Sequence, residues 1–270
     1  MLGCEKMKTN HKISMIQGAL SFLCGIVLAV HRYSQSSTGV AMCLVGIVAV
    51  LVLTFCSFSV ESLRKKLQLK PAEPDKLGFA MLAFSGFLFI IAGVLFFLQN
   101  KTSFLWMIAA AFSIFCGATT ILRLSLRDTG KMAAVYSLIP LFFLSFFLLM
   151  FYRSNGDNPY LHQFGYEVAV MLIVLLGLYT TVSGRFEKSR PCLRSATCSI
   201  GLSFVAQELF SFLLMPHILL SIPDFSVAAL VMLLACGFLL CYGMFYPTVR
   251  DVFPENIEEE AVQSEEEAEN

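Results

Sequence analysis

The feature that most constrains this chain is a succession of eight apolar blocks, each close to the ~20 residues that cross a bilayer as a helix. They lie at Ile13–Val30, Gly39–Val60, Gly78–Leu98, Ser103–Leu122, Ala133–Tyr152, Phe164–Ser183, Ser195–Met215 and Phe225–Tyr246. Inside hydrocarbon, backbone N–H and C=O groups meet no water, so a spanning segment must be a helix or a strand of a closed barrel. The blocks lack the period-two alternation of barrel strands. The expected fold is therefore all-α: a polytopic bundle of about eight transmembrane helices, arranged as four tandem hairpins. Composition agrees, with 57% hydrophobic residues and 14% charged ones, against about 25% charged in soluble domains. That balance excludes an ordinary soluble enzyme, a secreted disulfide scaffold and a nucleic-acid-binding domain.

Charge sets the expected orientation. Sixteen of the 19 Lys and Arg residues fall in segments 1–12, 61–77, 123–132, 184–194 and 247–270, and only Arg32, Lys101 and Arg153 fall on the other side. Cytoplasmic loops concentrate Lys and Arg, so both termini are expected in the cytoplasm. Lys6, Lys8 and Lys12 precede the first block much as basic residues precede a signal peptide's apolar core. The block is too long for one and no small-residue cleavage site follows, so it reads as a retained span. Residues 1–250 form the transmembrane domain. Residues 251–270 hold nine acids and no Lys or Arg, which reads as a disordered acidic cytoplasmic tail. The basic inner loops are expected to attract anionic lipid headgroups.

Lipid is as apolar as leucine, so helices join through small residues that allow close approach. Ala109, Ser113 and Gly117 make one such face. Gly39, Cys43 and Gly46 make a second, and Ala235, Gly237 and Gly243 a third. Phe142, Phe143, Phe146, Phe147 and Phe151 surround the fifth block with rings, which predicts a largely lipid-facing helix kinked at Pro140. The nine cysteines form no CxxC pair and mostly lie within apolar blocks, where a thiol packs as a small hydrophobe.

Ionisable residues at membrane depth are the first candidates for function. Glu208 lies about 13 residues into its block, roughly 20 Å along a helix axis. A bare carboxylate there costs several kcal/mol, so it must hold a proton, hold a partner or face water. Thr197, Gly201, Glu208 and Ser211 fall in one helical stripe flanked by Gln207, which makes Glu208, Gln207, Thr197 and Ser211 candidates for ion coupling or substrate binding. Glu167, near the start of the sixth block, is a further candidate, although an acid in a helix's first turn is also explained by the helix dipole. No P-loop, nucleophile elbow, metalloprotease helix or dinucleotide fingerprint is present. No catalytic residue, cofactor or metal ligand set is expected.

The stretch Pro159–Arg185, where NPYLHQFGYE leads into an apolar block, loosely resembles a pattern in multi-spanning bacterial membrane proteins of no assigned activity. The resemblance implies a bacterial membrane protein and no site residue. Two function classes follow from the residues. One is a small-solute transporter or permease using Glu208 for proton or cation coupling. The other is a non-catalytic scaffold, assembly factor or partner subunit of a membrane complex, in which Glu208 is dry and packed.

Overall fold

A computed structural model gives the architecture. It describes residues 2–34, 39–67, 76–99, 103–126, 130–155, 161–186, 191–214 and 226–246, with the side chains of 2–11, 33–34, 39–44 and 161–164 excepted. The acidic tail and the proline-broken segment Met215–Phe225 lie outside the described residues.

Every described element is a helix: α1 Leu2–Ser34, α2 Gly39–Lys66, α3 Lys76–Gln99, α4 Phe104–Ser125, α5 Gly130–Asn155, α6 Leu161–Phe186, α7 Pro191–Leu214 and α8 Val227–Phe245. Each has a stretch long and apolar enough to cross a membrane. The chain is a multi-pass integral membrane protein. Its helices outrun several of the apolar blocks, because a helix does not stop where its apolar stretch stops. Thus α1 carries its helix beyond the block to Ser34, and α7 starts at Pro191, where proline suits the first helical position.

Consecutive helices pack as antiparallel pairs, except α2 and α3. On α3 and α4, Gly86 lies against Gly117 and Gly93 against Ala110. The Ser113 hydroxyl donates to the Phe89 carbonyl at 2.7 Å. The predicted small face of α4 is thus the α3 seam, and Gly86 and Gly93 complete it from α3. The small residues predicted on α8 face the bundle too, each against a different helix. Gly237 meets Val205 of α7, Gly243 meets Thr181 of α6, and the Ala235 carbonyl accepts from Ser85 of α3. Helix α8 is the hub, packed on α3, α6 and α7. From it the bundle runs round through α4 and α5 back to α6. The α1–α2 hairpin sits outside this ring and docks on α7.

Two expectations are corrected. Helix α5 does not present all its rings to lipid. Phe143, Phe147 and Phe151 are fully buried, while Phe142 is exposed. A continuous helix through Pro140 turns one phenylalanine face inward, where Phe143 and Phe147 join Phe89, Phe96, Phe112 and Trp106 at centroid separations of 5.3–6.4 Å. Tilted and edge-on contacts of this kind add to simple area burial. The small face of α2 is not a seam at Gly46, beside which lies open space.

Gly25 is the reverse case. A Cβ there would strike the Ser203 backbone carbonyl and lie 2.6 Å from the Ala206 Cβ, so α1 and α7 touch backbone to backbone. Gly25→Ala is expected to lower thermal stability by about 1–3 kcal/mol, whereas Gly46→Ala is neutral within about 0.5 kcal/mol or stabilising through helix propensity. Melting curves of the two variants in the same detergent compare them directly.

Candidate functional site: a polar seam ending in a buried ionic cluster

Along α7, Ser195, Ser199, Ser203, Gln207 and Ser211 recur every four residues. Residues four apart lie one above the other on a helix, so they form one stripe, and all five are buried. Helix α1 lies parallel to it and supplies Ser14, Gln17, Ser21 and Gly25 on its own buried face. The contact between α1 and α7 is thus a polar seam running much of the bundle's length.

At the end of the bundle that carries most of the basic residues, here the basic end, Gln17 ties three helices. Its Nε2 lies 3.0 Å from the Ser57 hydroxyl of α2, and 2.8 and 2.6 Å from the Ser195 and Ser199 hydroxyls of α7. Without water, such contacts are what hold one helix to another. Midway, Gly25 and Ser203 close the seam by direct contact.

Toward the opposite end lies an ionic cluster. Arg32 reaches from α1 and splits its guanidinium between two helices. Nη2 donates to Glu167 Oε1 of α6 at 2.7 Å, and Nη1 donates to Glu208 Oε1 of α7 at 3.1 Å. The guanidinium carbon stands 4.4 Å from the centre of the Tyr166 ring, a cation–π contact. Both carboxylates are 0% exposed and the Arg32 side chain 15%. Glu167 Oε2, Glu208 Oε2, the Ser211 hydroxyl and both polar atoms of the Gln207 amide have no hydrogen-bond partner among the described residues. Two carboxylates thus face one guanidinium in a buried setting with acceptors to spare.

The structure brings Glu208, Gln207, Ser211 and Glu167 into one neighbourhood. Thr197 lies apart, 11 residues or about 16 Å down the α7 axis, where its hydroxyl shares a hydrogen bond with Thr180 of α6. Glu167 is not a first-turn acid. Helix α6 begins at Leu161, which puts Glu167 past the turn in which the dipole acts, and Arg32 is its partner instead. Arg32 is the residue that counting loop charges overlooks. It follows the first apolar block and reads as an interfacial loop residue, yet α1 continues past it. Its signal was rarity, as one of three basic residues on a side otherwise cleared of them.

Among the described residues no group of three His, Cys, Asp and Glu side chains is placed to hold a metal ion. The seven described cysteines are free thiols, and Cys116, Cys198 and Cys236 are buried. The chain matches no known family, no curated protein and no solved structure.

Removing the guanidinium leaves two buried carboxylates facing each other, and breaking a buried pair from one side costs about 3–5 kcal/mol. Arg32→Gln is expected to lower stability by that order. Glu167→Gln together with Glu208→Gln on the same background is expected to restore most of the loss, because the surviving groups are neutral and can share hydrogen bonds. Thermal melts of the single and triple variants in detergent check both expectations.

Proposed function

We propose that this protein is a permease for a small solute, with both termini in the cytoplasm and the Arg32–Glu167–Glu208 cluster as its proton- or cation-coupling centre. The supporting observation is the charge count. One Arg32 guanidinium serves two fully buried carboxylates, and each carboxylate keeps an unpartnered oxygen. An uncompensated charge at membrane depth costs several kcal/mol. The cluster is therefore completed by one more positive charge, either a proton on a carboxyl or a small monovalent cation beside the Gln207 amide and Ser211 hydroxyl. A group that must be neutralised and can be neutralised in two ways is what a coupled carrier needs. The three members sit on three helices, so gain or loss of the extra charge changes how tightly α1 is held to α6 and α7.

A second reading has its own support. Glu208 is 0% exposed and tied to Arg32, and the seam is closed at Gly25. A non-catalytic membrane scaffold or partner subunit needs only such a clamp, to fix the hairpin in place.

The two readings part on exchange at the cluster. A hydrophobic carbodiimide modifies carboxyls that carry a proton in apolar surroundings. For a coupling centre, labelling maps to Glu208 or Glu167, grows on acidification and is suppressed by an added monovalent cation. Proteoliposomes loaded with a pH-sensitive dye then show proton counterflow on addition of monovalent cations or small amines, and Glu208→Gln abolishes it. Carboxyls that stay unlabelled throughout the pH range of the folded protein, with no counterflow, sink the permease reading and leave the scaffold.

A further inference from the structure

The seam's other end carries the opposite imbalance. From Ser57, which meets Gln17, the same face of α2 continues through Glu61 and Arg64, four and seven residues on. From Gln17, one turn of α1 toward the basic end leads to Ser14. From Ser195, the next residue toward the start of α7 is Arg194. The three strands of the Gln17 junction therefore converge on Ser14, Glu61, Arg64 and Arg194. The contacts agree. Arg64 Nη2 donates to the Ser14 hydroxyl at 2.6 Å and Arg64 Nη1 lies 3.3 Å from Glu61 Oε2. Arg194 lies within electrostatic reach of both Glu61 and Arg64.

Two guanidiniums here share one carboxylate, and Glu61 is already engaged by Arg64. Arg194 is 6% exposed; its backbone carbonyl accepts from Thr197, and its side chain has no hydrogen-bond or ion-pair partner among the described residues, its guanidinium nitrogens not being among the fully buried atoms left unpartnered. The Arg64 side chain is 10% exposed, and its Nε is buried without a partner. A buried guanidinium carries five donors in a fixed fork and cannot shed its charge. Leaving such donors unsatisfied is costly. Arg64 is near the end of the candidate α2 span and Arg194 near the start of the candidate α7 span, the ends at which a bilayer's headgroups are expected.

We propose that Arg194 and Arg64, with the Ser14 hydroxyl beside them, form a binding site for one phosphate-class oxyanion at the basic end of the α1–α2–α7 junction. A tetrahedral oxyanion matches the guanidinium forks, supplies the missing negative charge and lies where the first turn of α7 adds its own N–H groups and dipole. The phosphate is presented either by a phospholipid headgroup or by a free phosphate or phosphomonoester. This site is built, not diffuse: it differs from the general attraction of exposed Lys65 and Lys66 for an anionic surface. It does not depend on the coupling role proposed for the other end.

The test uses the full chain purified in a maltoside detergent, which contains no phosphate. One arm measures retention of phosphatidylglycerol against a phosphate-free glycolipid by native mass spectrometry. The other titrates inorganic phosphate against chloride and follows the melting temperature. Tight, one-to-one retention of phosphatidylglycerol identifies a lipid site, and saturable stabilisation by inorganic phosphate identifies a soluble anion site. In either case Arg194→Gln weakens binding about ten- to a hundredfold, the loss of a charged hydrogen bond. Arg194→Lys keeps part of it, and Lys65→Gln with Lys66→Gln leaves it unchanged. Arg194 makes no described side-chain bond, so its replacement keeps the wild-type elution profile and helical content. The proposal is overturned if neither arm shows binding, or if Arg194→Gln binds as the wild type does. It is also overturned if binding appears only after residues 251–270 are removed, which would give the site to the chain's own acidic tail.

Discussion

What the structure depends on is the absence of a hydrophobic drive between helices that already sit in oil. Burying a leucine against another helix instead of a lipid tail gains little, so association rests on close backbone approach and on polar groups with nowhere else to go. The bundle uses the two devices in different places. The hub α8 and the α3–α4 pair are joined chiefly by small residues: Gly86 on Gly117, Gly237 on Val205, Gly243 on Thr181. The α1–α2 hairpin is joined chiefly by polar contacts: Gln17 to Ser57, Ser195 and Ser199, Arg64 to Ser14, and Arg32 to Glu167 and Glu208. The first device is insensitive to protonation and ions. The second is directly sensitive to both.

Sequence periodicity and length made the helices legible, because the bilayer admits few alternatives and a ~20-residue apolar run has one meaning. The α4 seam was legible for the same kind of reason, since small residues at helical spacing have few other uses in lipid. Which side of α5 faces inward was not. Five phenylalanines on one helix serve as well against lipid as against other rings, and only the positions of Phe89, Phe96 and Trp106 decide it. Gly46 shows the converse: a small residue permits close approach but does not supply the partner.

The candidate site was legible one residue at a time and not as a set. Glu208 stood out because a carboxylate at that depth needs a reason. Glu167 had an adequate local explanation, which dissolved once α6 began a turn earlier. Arg32 looked like a loop residue because the apolar block ends before it. None of the three indicates the other two, since they are 135 and 176 residues apart along the chain, and pairing over such distances is set by which helices pack together. The stripe Ser195, Ser199, Ser203, Gln207 and Ser211 was present in the sequence at a spacing of four. A stripe centred on Glu208 picks out Thr197, Gln207 and Ser211 but not Ser195, Ser199 and Ser203, because serine at membrane depth is cheap enough to pass unnoticed.

Among the described residues, the same seam carries an excess of one negative charge near Glu208 and an excess of one positive charge near Arg194. Gln17 and Arg32 are 15 residues apart on α1, so the two regions are separated by about 22 Å of helix. Between them α1 and α7 meet at Gly25 and Ser203 with no room for a side chain, let alone a solute. While that contact holds, the seam can open only to one side of it at a time. The contacts that hold the hairpin down are those whose strength depends on the charge state at each end. Completing the imbalance at Glu208 with the proposed cation and that at the basic end with the proposed oxyanion would act on one lever from two sides. If α1 moves as a rigid helix, the contact at Gly25 is its natural fulcrum, because backbone touching backbone allows rocking with little change in packing, whereas interlocked side chains would not. Glycine at position 25 then serves two ends: it lets the helices meet, and it keeps their meeting point smooth.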